Sequence, residues 1–119
     1  MSEPPTLHTI RFPFGSDGVA RRERQALGRL ACGLIPGRDL LITGYTDDIG
    51  PQAYNDALAS GRAKAVARVL IEAGIDRGRI ALLGRGKANY LESNETLAGR
   101  AQNRRVEVRY AAGVERAGG

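Results

Sequence analysis

A long helical pattern between two short apolar runs constrains this chain most. Residues 52–73 carry apolar side chains at helical spacing. On either side, residues 39–44 (DLLITG) and 79–83 (RIALL) are too short for helices and too apolar for loops, so they read as strands. A strand–helix–strand unit must bury the helix's apolar stripe on the sheet its strands help to build. That predicts an α/β layered domain.

The flanking segments extend the pattern. Residues 8–14 (HTIRFPF) alternate, with Ile10, Phe12 and Phe14 on one side, and Pro13 marks an edge strand or a strand's end. Residues 15–18 (GSDG) read as a turn. Residues 20–34 place Leu27, Leu30, Ala31 and Leu34 on one helical face, and Pro36-Gly37 ends that helix. Residues 46–51 and 84–95 read as loops, with Asp48 near the start of the long helix. Residues 96–102 read as a short helix and residues 104–110 (RRVEVRY) as an alternating fourth strand, with Arg104, Val106 and Val108 inward. The result is a two-layer α/β sandwich, with helices on one small four-stranded sheet. A chain of 119 residues fits one domain. We place it at residues 7–111, after a tail or linker at 1–6 and before a loose tail at 112–119.

Arg62 stands out inside this frame. At about 100° per residue, Tyr54, Leu58, Ala65, Val66, Val69 and Ala73 share one arc. Arg62 lies near the middle of it, and Asn55 shares it. An unpaired charge cannot lie bare in a core, because its burial costs several kcal/mol. Either Arg62 snorkels outward or pairs with a carboxylate, or this end of the arc lines a pocket. In the second reading, the loop after residue 44 brings Thr46 and Asp47 to the same rim. A carboxylate and a guanidinium facing one cavity suit a zwitterionic ligand. Such an arginine, facing a wet mouth, is expected to tolerate Arg62→Ala without loss of fold.

The remaining signals are weaker. Net charge is +5, which favours nucleic acid, anionic lipid or anionic wall polymer without choosing among them. Arg100, Arg104, Arg105 and Arg109 form a basic stripe that reads as a solvated face. The chain has four tyrosines, two phenylalanines and no tryptophan, which does not furnish a stacking surface, so no nucleic-acid partner is expected. Cys32 sits in the apolar helical pattern and reads as a buried structural thiol. One histidine and one cysteine without ligand spacing give no metal site, and no cofactor motif is present. GRGKAN is no Walker loop, since position 81 is alanine and no Ser or Thr follows Lys87. Asp47-Asp48 are adjacent loop residues that point apart rather than a general acid–base pair, and His8 has no nucleophile beside it, so no enzyme is expected. No apolar run reaches the roughly 18 residues of a membrane span. MSEPPTLHT lacks a basic region followed by an apolar one, so the chain is cytoplasmic or a piece of a longer exported protein.

The run GYTDDIGPQAYNDALASGRAKAVARVLIEAGI, then RIALLGRGK and GRAQNRRVEVRY, resembles the OmpA C-terminal-like family, the peptidoglycan-binding domains also found in Pal and MotB proteins. The resemblance covers about residues 40–110, and the strand at 8–14 fits the family's first strand. It implies a βαβαβ(α)β sandwich on a mixed sheet. It also implies a ligand, the peptidoglycan stem peptide held by its diaminopimelate. Asp47 and Arg62 would grip the terminal amino and carboxyl groups; Thr46, Asn55 and Leu58 would line the pocket, and Asn103 and Arg104 would come close to the ligand. Two positions depart from the family pattern: GSDG lacks the common acidic residue before Ser16, and Tyr45 stands where histidine is commonest. The implied role is a non-catalytic wall anchor in the periplasm, part of an outer-membrane or envelope-associated protein whose membrane anchor lies outside this chain. The alternative is an OmpA-like fold serving protein–protein contacts in an envelope or secretion assembly without wall binding.

Overall fold

The alternating and apolar runs become four strands in the computed structural model, which describes residues 4–86 and 89–112. Chain order is β1 (Thr6–Arg11), α1 (Arg21–Gly33), β2 (Leu40–Gly44), α2 (Gln52–Glu72), a 3-10 turn (Arg77–Arg79), β3 (Ile80–Gly84), α3 (Leu97–Asn103) and β4 (Arg105–Tyr110). The sheet order is β1-β4-β2-β3. β2 and β3 are parallel, and β4 is antiparallel to both β1 and β2. This is the expected α/β sandwich on a mixed sheet. β1 takes an edge and stops before Pro13. The most apolar run, β2, is central. Of the expected terminal tails, residues 1–3 and 113–119 lie outside the described residues, as does Lys87 of the GRGKAN loop. Thr6 opens β1 rather than closing a linker, because Arg109 binds the Pro4 carbonyl (2.9 Å) and the Thr6 hydroxyl (2.8 Å). Among the described residues no helix is long and apolar enough to cross a membrane.

The core lies between the helices and one sheet face. Ile10, Val106, Val108, Leu40 and Ile42 meet Leu27 of α1 and Ala63, Val66 and Leu70 of α2. The buried stripe of α2 is turned from the expected arc. Asn55, Ala59, Arg62, Ala63, Val66, Ala67 and Leu70 face in, whereas Tyr54 and Ala73 are exposed. The cause is close packing. A Cβ on Gly44 would overlap the Ala59 carbonyl, so the backbone of α2 rests on β2 through small residues. Gly44→Ala is therefore expected to lower stability by about 1–3 kcal/mol, the usual cost of overpacking. A urea midpoint equal to that of the unaltered protein would contradict this contact.

Three further expectations change. Cys32 is exposed, not buried. It falls on the side of α1 away from Leu27, and an apolar side chain does not by itself place a residue in the core. It should react with a maleimide in the folded state, before any denaturant is added; protection until unfolding would contradict its position. Asp48 does not serve the start of α2, whose N-cap is Pro51 and whose first turn holds no acidic residue. The basic stripe is not a solvated face. Arg105 is only 2% exposed, with its guanidinium 3.8 Å from the Tyr45 ring centroid. Glu107 lies between Arg105 (2.6 Å) and Arg109, and Arg100 binds the Asn94 carbonyl (2.6 Å). The outer sheet face thus carries a ladder whose guanidinium groups are already engaged by Glu107, which offers little to a phosphate backbone.

Candidate functional site

Topology brings three loop ends together. β1 and β2 run the same way with β4 reversed between them, so the exits of β1 and β2 and the entry of β4 share one sheet end. α2 begins at that end. A small, open cleft lies there, lined by Phe14, Gly15, Thr46, Asp47, Ile49, Tyr54, Asn55, Leu58, Arg62 and Arg104. Of the residues singled out from sequence, Asp47, Arg62, Thr46, Asn55, Leu58 and Arg104 converge here. Asn103 does not. Its amide accepts from the Leu91 and Glu92 backbone N–H groups (2.7 and 3.1 Å) and donates to Glu92 and Asn94 oxygens (2.9 and 2.8 Å), bracing the loop before α3.

Arg62 is fully buried in the cleft lining beside Thr46 and Asp47, so it does not snorkel outward. Among the described residues it pairs with no carboxylate. Its Nε donates to the Ser16 carbonyl (2.8 Å), one Nη to the Tyr45 carbonyl (3.1 Å) and the other to the Pro13 carbonyl (3.2 Å). The Phe12 ring lies 5.2 Å below its guanidinium carbon. Arg62 therefore ties the turn after β1 to the end of β2, and Arg62→Ala is not structurally neutral. Burial lowers its pKa to about 10, and the charge of Arg104 pushes the same way against Asp47. It stays protonated at neutral pH.

Asp47 is 3% exposed. One carboxylate oxygen accepts from the Ile49 N–H (3.0 Å), which folds the loop back on itself. The other meets Arg104 Nη1 at 3.3 Å, while Arg104 Nε donates to the Phe12 carbonyl (2.9 Å). Its ion-pair partner here is thus Arg104 rather than Arg62. Asn55 stiffens the same loop by donating to the Ile49 and Gly50 carbonyls (2.9 and 3.3 Å). The Thr46 hydroxyl is buried and has no hydrogen-bond partner. Tyr45 turns its ring to the outer sheet face under Arg105, so only its backbone serves the site.

Sequence reasoning missed the rim. Phe14, Ile49 and Tyr54 line the cleft mouth while staying 42–63% exposed. Tyr54 stands beside Gly15 and Gly50, where an added Cβ would come within 3.6 Å of it. Pro13 was the available signal: it breaks the strand alternation and so frees Phe14 from the inward face. The site as a whole is a polar pocket floor with opposite charges under an apolar collar.

A model described as the OmpA family matches residues 11–104. The chain is 40% identical over 99 residues to Outer membrane protein A of Bordetella avium, covering 82% of this chain and 51% of that protein. It is 40% identical over 99 residues to the peptidoglycan-binding protein ArfA of Mycobacterium bovis, covering 80% of this chain and 30% of ArfA. It thus spans about half or less of these two relatives. Among solved structures, the peptidoglycan-associated lipoprotein of Burkholderia pseudomallei superposes with a TM-score of 0.81 at 34% identity, covering 86% of this chain and 88% of that one.

Proposed function

The chain belongs to the OmpA family, and from that premise we propose that its cleft binds peptidoglycan through the diaminopimelate of the stem peptide. Residues 7–111 form the binding module of a larger envelope protein or assembly, which they anchor to the wall on the periplasmic side, without catalysis. The observation that carries this reading is the charge pattern of the cleft floor. Arg62 is buried, protonated and without a carboxylate partner among the described residues, while Asp47 lies in the same lining. Diaminopimelate ends in one ammonium and one carboxylate. The carboxylate takes the guanidinium N–H groups that the backbone carbonyls leave over, and the ammonium takes Asp47. Thr46 adds a hydroxyl, Asn55 and Leu58 shape the wall, and Arg104 flanks Asp47. The peptidoglycan-binding name of the ArfA relative supports the partner.

Sedimentation with purified diaminopimelate-type peptidoglycan tests it. The unaltered protein is expected in the pellet. Asp47→Asn keeps an acceptor for the Ile49 N–H but removes the charge, and should weaken binding about tenfold or more, as expected for losing a charge-assisted contact. Unaltered protein that stays in the supernatant would refute wall binding and leave the protein–protein interaction module.

A further inference from the structure

The fold and the cleft leave one set of charges unused. Arg21, Arg22, Arg24 and Arg29 are exposed on α1, and Lys64 and Arg68 are exposed on α2. Their side chains take no hydrogen bond, ion pair or ring contact among the described residues. At about 100° per residue, Arg21, Arg22 and Arg29 fall on the side of α1 away from buried Leu27. Lys64 and Arg68 fall on the side of α2 away from buried Val66 and Leu70. The two helices pack against each other, so these cations share the outward face of the helix layer. The carboxylates nearby are fewer. Glu23 of α1 turns to His8 (3.8 Å), and Asp56 of α2 lies beside Gly86. Glu72 ends α2, and Asp17 lies against Gly61, where it acts on Arg62. The face stays positive.

Helix physics argues against these positions. Arg21 and Arg22 open α1, where the helix dipole favours anions. Arg21 with Arg24, and Lys64 with Arg68, are like-charge pairs three and four residues apart, which weaken a helix. Residues held against local preference, with no partner in the fold, mark a functional surface. Five of the six cations are arginines, whose planar fork matches phosphate oxygens. The surface around them is open: a Cβ added on Gly28 or Gly33 would meet nothing within 4 Å. α1 has no aromatic residue, and Tyr54 of α2 stands at the cleft rim, so nucleic-acid bases find nothing to stack on. Spread over two helices, the face suits a plane of headgroups rather than one small anion.

We propose that the outward face of α1 and α2 docks on the phosphates of an anionic lipid surface. The cleft opens at one end of the sheet and this face points away from the sheet, so both can be engaged together. The proposal stands on charge and exposure and needs no particular ligand in the cleft.

Vesicle sedimentation of the full 119-residue chain tests it. Phosphatidylcholine vesicles containing about one third phosphatidylglycerol are compared with phosphatidylcholine alone. The unaltered protein should sediment with the anionic vesicles only, and high salt should release it. Each cation at such a surface is worth about fivefold in affinity, so the triple variant Arg21→Gln, Arg22→Gln, Arg29→Gln should partition about a hundredfold more weakly. It should melt no lower than the unaltered protein, because the start of α1 loses two misplaced cations. A second triple variant, Arg11→Gln, Arg77→Gln, Arg85→Gln, removes the same charge from exposed positions elsewhere and should keep most of the binding. Equal losses in the two variants would mean that net charge acts without this face, and would overturn the proposal. Failure to sediment with anionic vesicles, or equal sedimentation with neutral ones, overturns it too. Tighter binding to a DNA duplex than to vesicles, lost in the first variant, would assign the face to nucleic acid instead. The vesicles hold no peptidoglycan, so none of these outcomes bears on the cleft.

Discussion

Val66→Asp is expected to leave the domain unfolded in buffer. Val66 has no exposed surface and lies midway along the inner face of α2, in one cluster with Ile10, Leu27, Ile42, Val106 and Val108. The substitution loses about 1.5–3 kcal/mol of apolar burial. It also places a carboxylate where no cation waits, which adds several kcal/mol. Together these approach the roughly 5–15 kcal/mol that holds a typical domain folded. Circular dichroism should show the loss of helix and of a cooperative urea transition. A cooperative transition near the unaltered midpoint would mean that α2 does not pack as described.

Arg62→Ala is expected to fail in two ways at once. Sequence alone suggested a ligand-facing arginine that could be removed without harm. Instead it closes three backbone carbonyls from two different turns. Losing them, with the contact to Phe12, should cost about 3 kcal/mol, since Tyr45 in particular would keep a buried, unsatisfied carbonyl. The melting temperature should fall by about 10 °C or more. Ligand binding should vanish as well. Because the folded-state pKa of about 10 lies below the ordinary guanidinium value, the cost of burying this charge is present in full at neutral pH. It eases only as pH rises above about 10, where the unfolded chain still holds the proton that the folded one has released. Binding through Arg62 should therefore be flat with pH through the neutral range. Calorimetry of Arg62→Ala beside Arg62→Lys checks the structural part. An alanine variant that melts like the unaltered protein would return Arg62 to a purely ligand-facing role.

The fold was legible because its elements differ in period. Alternation marked β1 and β4, short apolar runs marked β2 and β3, and helical spacing marked α1 and α2, with boundaries that shifted by two or three residues at most. Strand order was not written in those periods, and the mixed sheet came from the family resemblance. The errors share a physical origin. The larger apolar residues of α2 suggest one stripe, but the helix sits on glycine in β2 and so turns alanines inward. For Cys32, the angle on the helix rather than the residue type decides exposure. Arg62 was expected to seek a side-chain anion, yet its partners are carbonyl oxygens, which every residue carries and no sequence pattern reveals. Asp47 and Arg62 could be placed at one rim because both flank a single loop. Pairing of Asp47 with Arg104 depends on β4 entering between β1 and β2, which only the topology supplies. Asn103, adjacent to Arg104 in sequence, is held by the loop at 91–94 instead.

The most direct measurement is a nitrogen-15 chemical-shift titration of the folded domain with a diaminopimelate-containing stem peptide, run beside the same peptide carrying lysine in that position. Lysine lacks the terminal carboxylate that Arg62 would hold. The account predicts saturable shifts for the diaminopimelate peptide at the Thr46, Asp47 and Ile49 amides, at Gly15 and at the Arg62 side-chain Nε, with much weaker effects for the lysine peptide. Equal shifts for both peptides, or shifts centred on α1 or β3, would contradict it.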